Sequence, residues 1–468
     1  MSAGEVHQRG MNQTPRGPIP FVLEMRWFLT KGETETPGPR FSALMHHLLF
    51  FLLALCTSLF AAAKPNVIFI LADDLGIGNV GCYGSDHYQT PHIDKLAAEG
   101  TRFTQCFTAA LCGPSRALIM SGRYAFRNGA TNQDACTNLD PKEIVLPRLF
   151  KAAGYATACV GKWGQLPGEP GDHGFDDWMR FSGSGVYRNA KDGKPERYSI
   201  NGDEKKLADG EYMPDMCHDR VVKFVRQHRD EPFFVYYPMS HVHGELLPTP
   251  DSAPGSDDLM ADNIAYMDKL VGQLIAELDT LKLREKTLVI FMGDNGTGKG
   301  MADRATIGGK MLSGMKGTML ECGGLVPMIA CWPGQTPEGR VSADLIDSTD
   351  FIATFAALTG SDLPFGVEFD GQSIAPQLLG QPAKPRAWVF NQLARMWYVR
   401  DAQWKLNEKG ELYDMSGAPF SEKIVTGPHE ARAHLEAVLV KLNPAGGILD
   451  QGDGSGRHAN KLKKKTRD

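Results

Sequence analysis

A chain of 468 residues with 42% hydrophobic content is long enough for one large domain with a full core and a smaller one beside it. Its net charge of -5 supplies no general basic field, which argues against nucleic acid as a partner. The one basic run, Lys461–Arg467, ends a loose polar stretch (444–468) and reads as a solvated tail.

Residues 1–44 are Pro/Gly-rich and polar, without periodicity, and read as a non-structured extension or a mis-assigned start, with Met45 as the alternative start. Residues 45–63 form an apolar run too short for a stable membrane span. Ala61 and Ala63 close it at the spacing of a cleavage site, so the run reads as a signal peptide and the mature chain as exported, periplasmic or extracellular. Nine cysteines occur, with no C-x-x-C pair to suggest zinc and no spacing that dictates a disulfide framework.

From residue 64 onward, strand-like and helix-like segments alternate, which predicts an α/β fold with a mostly parallel central sheet. Asn66–Leu71 is a continuous apolar run, the signature of a strand buried on both faces. Thr90-Pro91 opens a helix that closes by Gly100, with Thr90 as the expected cap. A helix over Pro147–Ala153 precedes a strand over Tyr155–Val160. Phe233–Met239 and Thr287–Met292 are two more buried strands, separated by a long amphipathic helix over Asp258–Leu281. Ile346–Leu358 is the expected last helix of a main domain spanning 64–365. The segments then shorten: Ala387–Asn391, Trp397–Arg400, Trp404–Leu406 and Leu412–Tyr413 read as antiparallel strands of a C-terminal subdomain, 366–443.

The chemistry gathers at strand ends. Asp73-Asp74 follow the first buried strand and Asp294-Asn295 follow another, where open parallel sheets bind ligands. Carboxylates converging there repel, by about 4 kcal/mol for a pair roughly 4 Å apart at an effective dielectric of about 20. A hard divalent cation relieves that repulsion, and an all-oxygen set favours Ca²⁺ or Mg²⁺. The segment 111–123 reads L-C-G-P-S-R-A-L-I-M-S-G-R. Pro114 can start a helix, which places Cys112 just before a helix N-terminus, where N–H groups and dipole favour an anion. A thiolate nucleophile and an inert buried thiol both remain open on these local grounds.

This segment resembles the type I sulfatases, the formylglycine-dependent arylsulfatase-like family of the alkaline phosphatase-like superfamily. Cys112-Gly113-Pro114-Ser115-Arg116 followed by Ser121-Gly122-Arg123 matches the family's C-x-P-S-R and S-G-R elements. The resemblance implies an alkaline phosphatase-like α/β/α sandwich with a small antiparallel C-terminal subdomain. It implies a sulfuric ester hydrolase in which a maturation enzyme oxidises Cys112 to formylglycine, whose hydrate is the nucleophile. P-N-V-I-F-I-L-A-D-D-L-G and F-M-G-D-N-G carry Asp73, Asp74, Asp294 and Asn295 over as calcium ligands. G-K-W supplies Lys162 and S-H-V-H supplies His243, both to bind sulfate. G-M-K-G supplies Lys316 near the leaving oxygen, and Arg116 steadies the formylglycine hydroxyl.

One position departs from the pattern. The family reads G-K-W-H, and here Gly164 stands in place of that histidine, so either Gln165, His173 or water handles the formylglycine hydroxyl or the second half-reaction is slowed. A second departure is Leu325, where Arg is common. The implied substrate is a sulfate ester, expected on a carbohydrate. The alternatives are a phosphodiesterase or phosphonate monoester hydrolase on the same scaffold, and a non-catalytic sulfoglycan-binding protein.

Overall fold

The structure, a computed structural model, describes residues 64–181, 183, 185–189 and 195–443. The extension 1–44, the signal peptide read at 45–63 and the tail 444–468 lie outside the described residues. Among the described residues no helix is long and apolar enough to cross a membrane.

Ten strands form the main sheet: β1 (Asn66–Ala72), β2 (Thr101–Phe107), β3 (Ala156–Gly161), β4 (Asp177–Phe181), β5 (Arg197–Ile200), β6 (Asp203–Lys206), β7 (Phe233–Pro238), β8 (Thr287–Gly293), β9 (Leu325–Cys331) and β10 (Arg340–Asp347). Their spatial order is β10-β2-β9-β8-β1-β7-β3-β4-β5-β6. The centre, β8-β1-β7-β3-β4, is parallel throughout. β9 pairs antiparallel with both its neighbours, and β5 does the same at the other edge. The sheet is therefore mixed and mostly parallel.

The alternating side chains of β1 separate two cores. Ile68, Ile70 and Ala72 pack with Ile93 of α1 (Pro91–Ala98), Val221 and Phe224 of α4 (Met213–Gln227), and Ile264 and Leu270 of α5 (Leu259–Thr280). Val67, Phe69 and Leu71 face the other way, onto Ile119 of α2 (Cys112–Ser121), Leu149 and Phe150 of α3 (Leu146–Ala152), and Phe351 and Phe355 of α6 (Asp350–Thr359). That gives an α/β/α sandwich, the alkaline phosphatase-like architecture. A second, five-stranded antiparallel sheet, β11 (Val389–Leu393) to β15 (Lys423–Val425), packs with helix α7 (Glu430–Leu442) around Phe390, Val399, Leu406 and Leu435.

Two local expectations need correction, and two elements were missed. Thr90 precedes α1, but its hydroxyl donates to Asp94 Oδ1 (2.9 Å) and makes no cap bond. The free N–H groups of His92 and Ile93 instead reach the Asp268 carboxylate of α5, at 3.1 and 2.8 Å, so a neighbouring helix supplies the cap. Ile346 and Asp347 lie in β10, and the helix expected over 346–358 begins at Asp350. The C-terminal strand β15 and helix α7 were not read from the sequence: β15 has only three residues, and the apolar face of α7 is thin.

A buried ion cluster joins α6 to the start of the second sheet. The Arg386 guanidinium donates to both Asp350 oxygens, to the Tyr124 hydroxyl (3.1 Å) and to the Asp370 carbonyl (3.1 Å). Asp347 lies beside it, its carboxyl lifted to about 6 by burial, with Arg386 opposing the lift and Asp350 adding to it. Arg386→Met strands these carboxylates, and we expect a loss of about 3–5 kcal/mol in urea unfolding at pH 8. Without the guanidinium that opposes its lift, the Asp347 carboxyl rises further above its unfolded value, so the folded state binds a proton preferentially. The deficit against wild type therefore shrinks as pH falls from 8 towards 5.

Candidate active site

Sheet register builds the site. β1 pairs with β8 so that Ala72 lies opposite Gly293, and with β7 so that Leu71 lies opposite Pro238. The residues just past these carboxyl ends therefore emerge at one level. The ladder continues beyond the strands: Asp294 N–H donates to the Ala72 carbonyl (2.9 Å), Asp73 N–H to His241 (2.7 Å) and Lys162 N–H to Pro238 (2.7 Å). Asp73, Asp74, Asp294, Asn295, Lys162 and His243 are thus delivered by four adjacent parallel strands.

Cys112 comes from α2. It occupies the first helical position rather than the one before it, with Leu111 as cap, and Pro114 lies two residues inside. The Ser115 hydroxyl ties the first turn down by donating to the carbonyls of Ala109 (2.8 Å) and Leu111 (2.9 Å). Arg116 follows one turn after Cys112, on the same helix face. Ligand atoms of Cys112, Asp73 and Asp294 lie within 4.8 Å of one another, as do those of Asp73, Asp74 and His243.

The polar groups pair acid to base. Lys162 Nζ donates to Asp73, Arg116 Nη2 to Asp294 (2.8 Å), and Lys316 Nζ lies 2.6 Å from Asp74 Oδ1. Arg116 also donates to the Lys162 carbonyl (2.9 Å), and among the described residues it makes no hydrogen bond to Cys112. Burial is the largest single influence on Lys162 and works against its charge, but the negative groups around it, Asp73 first, together outweigh it and raise the ammonium above its usual range. Asp294 is raised, by burial first and then by Asp73. The His243 imidazole is pushed down to about 4, by burial and then by Lys162, and its Nε2 lies 3.7 Å from Asp74. Side-chain exposure climbs from 0% at Asp73, Lys162 and Arg116 to 9% at Lys316 and 18% at His243, so the last two stand at the mouth.

Within the site, two oxygens have no partner among the described residues: Asp73 Oδ1 and Asn295 Oδ1 are buried and accept no hydrogen bond there. Asn295 is oriented by its amide N–H groups, which donate to Asp74 Oδ1 (2.9 Å) and to the Gly296 carbonyl (2.9 Å). Asp74 is held at a φ of 61°, in the left-handed region, by its N–H donating to Asp294 Oδ1 (3.0 Å). Such strain persists where surrounding bonds over-determine it. Orphaned acceptors facing carboxylates cost free energy unless a cation meets them. The all-oxygen donor set of Asp73, Asp74, Asp294 and Asn295 fits a hard divalent metal.

At the departure from the family pattern, Gly164 has a φ of 80°, and a Cβ there would lie 3.3 Å from Arg116 Cδ. Gly164→Ala is expected to cost about 1–2 kcal/mol in urea unfolding, since an L-residue is strained there. His173 does not fill the gap. It stacks on Trp163, 5.7 Å between ring centres, and hydrogen-bonds the Pro167 carbonyl. Gln165 reaches towards Cys112 through Gln133, which sequence reasoning missed because no motif or spacing marks it. Gln133 Oε1 lies 3.6 Å from Cys112 Sγ and accepts from the Gly113 N–H at 3.2 Å.

A cysteine at a helix start, a cluster of acidic oxygens that fits a metal and three buried or half-buried cations together suit hydrolysis of an anionic ester. The Sulfatase family model matches residues 65–361. The chain is 34% identical over 372 residues to arylsulfatase A of Homo sapiens, covering 72% of each. It is 33% identical over 355 residues to N-acetylgalactosamine-6-sulfatase of Canis lupus familiaris, covering 68% of this chain and 67% of that one. A solved Bacteroides thetaiotaomicron structure, described for metabolism of multiple glycosaminoglycans, superposes with a TM-score of 0.68 at 25% identity, covering 81% of this chain and 99% of that one. The chain belongs to the sulfatase family and is a sulfuric ester hydrolase.

Proposed function

We propose that this hydrolase removes sulfate from a carbohydrate ester, with Cys112 matured to formylglycine and a calcium ion, or magnesium, held by Asp73, Asp74, Asp294 and Asn295. The observation that carries the reading is charge. Asp73, Asp74 and Asp294 are matched one for one by Lys162, Lys316 and Arg116. A divalent metal added to this balanced set leaves two positive charges, which a singly charged sulfate ester partly neutralises. The metal, when bound, supplies Lewis-acid polarisation of an ester oxygen. Formylglycine, as its hydrate, supplies a hydroxyl nucleophile at position 112.

The chain's own residues do the rest. Lys162, with no exposed side-chain surface, is a fixed cation on the floor. Arg116 holds Asp294 in place for the metal. His243, at the mouth with its imidazole pushed down by burial, serves as a hydrogen-bond donor to sulfate through its ring N–H. Lys316, at the mouth, is the group placed to give a proton to the leaving alkoxide. The carbohydrate assignment draws on the relatives' names, and export draws on the apolar run 45–63.

The test is hydrolysis of p-nitrophenyl sulfate beside the corresponding phosphate and phosphonate esters, followed by a panel of defined sulfated sugars. Preference for sulfate and release from one sugar position support the reading. A preference for the phosphonate ester would assign the scaffold to the alternative hydrolase. Intact mass shows whether Cys112 is converted, and an unmodified thiol after co-expression with a maturation enzyme contradicts the nucleophile assignment.

A further inference from the structure

Gln133 and Gln165 form a side-chain amide pair over residue 112 that the family motifs do not contain. Gln133 Oε1 faces Cys112 Sγ at 3.6 Å and takes the Gly113 N–H at 3.2 Å. A backbone N–H can only donate, so the atom facing it is the amide oxygen, and the acceptor is the end turned to residue 112. The other end is held too, because Gln133 Nε2 donates to Gln165 Oε1. The approach is close: a Cβ on residue 113 would lie 2.9 Å from Gln133 Oε1 and 3.0 Å from Cys136 Sγ, so glycine at 113 admits the amide. Position 164, next to Gln165, has no side chain to compete.

We propose that Gln133, locked by Gln165, is a positioning residue that accepts a hydrogen bond from the modified side chain at 112 and thereby favours its hydrate over the free aldehyde. The inference rests on the formylglycine reading above. Its physical basis is the donor inventory. An aldehyde has no O–H, whereas the hydrate formed by adding one water has two, so an acceptor fixed beside residue 112 stabilises only the hydrate. An amide oxygen is too weak a base to remove the proton, so its role is orientation.

The experiment uses the full chain co-expressed with a maturation enzyme. Methoxyamine condenses with the free aldehyde to an oxime and water, and the rate, followed by intact mass, reports the aldehyde fraction. Gln133→Leu is expected to react about five-fold faster than wild type, the size of one net hydrogen bond. Gln133→Glu keeps an acceptor oxygen, with the Gln165 amide turned over so that its N–H donates to the carboxylate, and should stay close to the wild-type rate. Gln165→Leu unlocks the amide and should give a smaller increase; it carries the test if the Gln133→Leu variant does not fold. Equal rates in all variants overturn the inference while leaving the formylglycine reading intact. Equal acceleration by Gln133→Leu and Gln133→Glu also overturns it, since it marks loosened packing. A wild-type chain with no methoxyamine-reactive carbonyl overturns both.

Discussion

Cys112→Ala is expected to remove sulfate-ester hydrolysis almost entirely, by about 10⁵–10⁶ in kcat, the range seen when a covalent nucleophile is deleted. The fold should persist. Cys112 sits at the first position of α2, whose anchoring comes from Ser115 and from Arg116 with Asp294, none of which the substitution touches. Cys112→Ser separates two explanations. Serine offers a hydroxyl in the same place but has no sulfur for the maturation chemistry read here. If formylglycine is the nucleophile, Cys112→Ser is as inactive as Cys112→Ala, and its intact mass shows the unmodified residue. A Cys112→Ser variant turning over near the wild-type rate would mean that a plain hydroxyl suffices. Thermal melts of both variants within a few degrees of wild type exclude unfolding as the cause.

Chelation is expected to have the second largest effect. With the metal removed, Asp73 Oδ1 and Asn295 Oδ1 are left buried without a partner, and the site returns to zero net charge among its three acid–base pairs. The anionic ester loses the two positive charges that favoured it, so hydrolysis should fall by at least about a hundred-fold, the cost of a few kcal/mol of electrostatic stabilisation. Stability should fall as well, because metal at a hundred times its dissociation constant stabilises the fold by about 2.7 kcal/mol. Dialysis against a calcium chelator, then activity and melting temperature, checks both, and calcium restores both. Asp73→Asn goes further. It leaves Lys162, with no exposed side-chain surface, facing a neutral amide. Removing one partner of a buried pair costs about 3–5 kcal/mol, and added calcium should not restore activity fully. Chelated protein shown by elemental analysis to lack metal, yet fully active and unchanged in melting temperature, would remove the metal from the mechanism.

Much of the site was legible beforehand because its residues lie at the ends of strongly patterned strands. N-V-I-F-I-L and T-L-V-I-F-M are short, β-branched-rich apolar runs that read as buried strands, and Asp73-Asp74 and Asp294-Asn295 directly follow the strands they form. The antiparallel β9 was not legible. Leu325–Cys331 is as apolar as its parallel neighbours, and burial on both faces erases the alternation that would mark it. The small strands β4 to β6 were missed for the opposite reason, being short and increasingly polar towards the edge.

The sequence alone was enough for the α/β class, for the strand-end placement of Asp73, Asp74, Asp294 and Asn295, and for Cys112 at a helix start, since short-range patterning and local backbone chemistry decide these. Tertiary structure decided which cation meets which carboxylate: Lys162 with Asp73 and Lys316 with Asp74, partners 89 and 242 residues apart in the chain. It also decided that an unmarked glutamine would face residue 112, and that Arg386 would bind the last helix of the sandwich to the second sheet. The physical reason is that a buried charge or amide takes its role from whatever the folded chain brings within a few ångströms, and that proximity is fixed by sheet order and register across the whole domain.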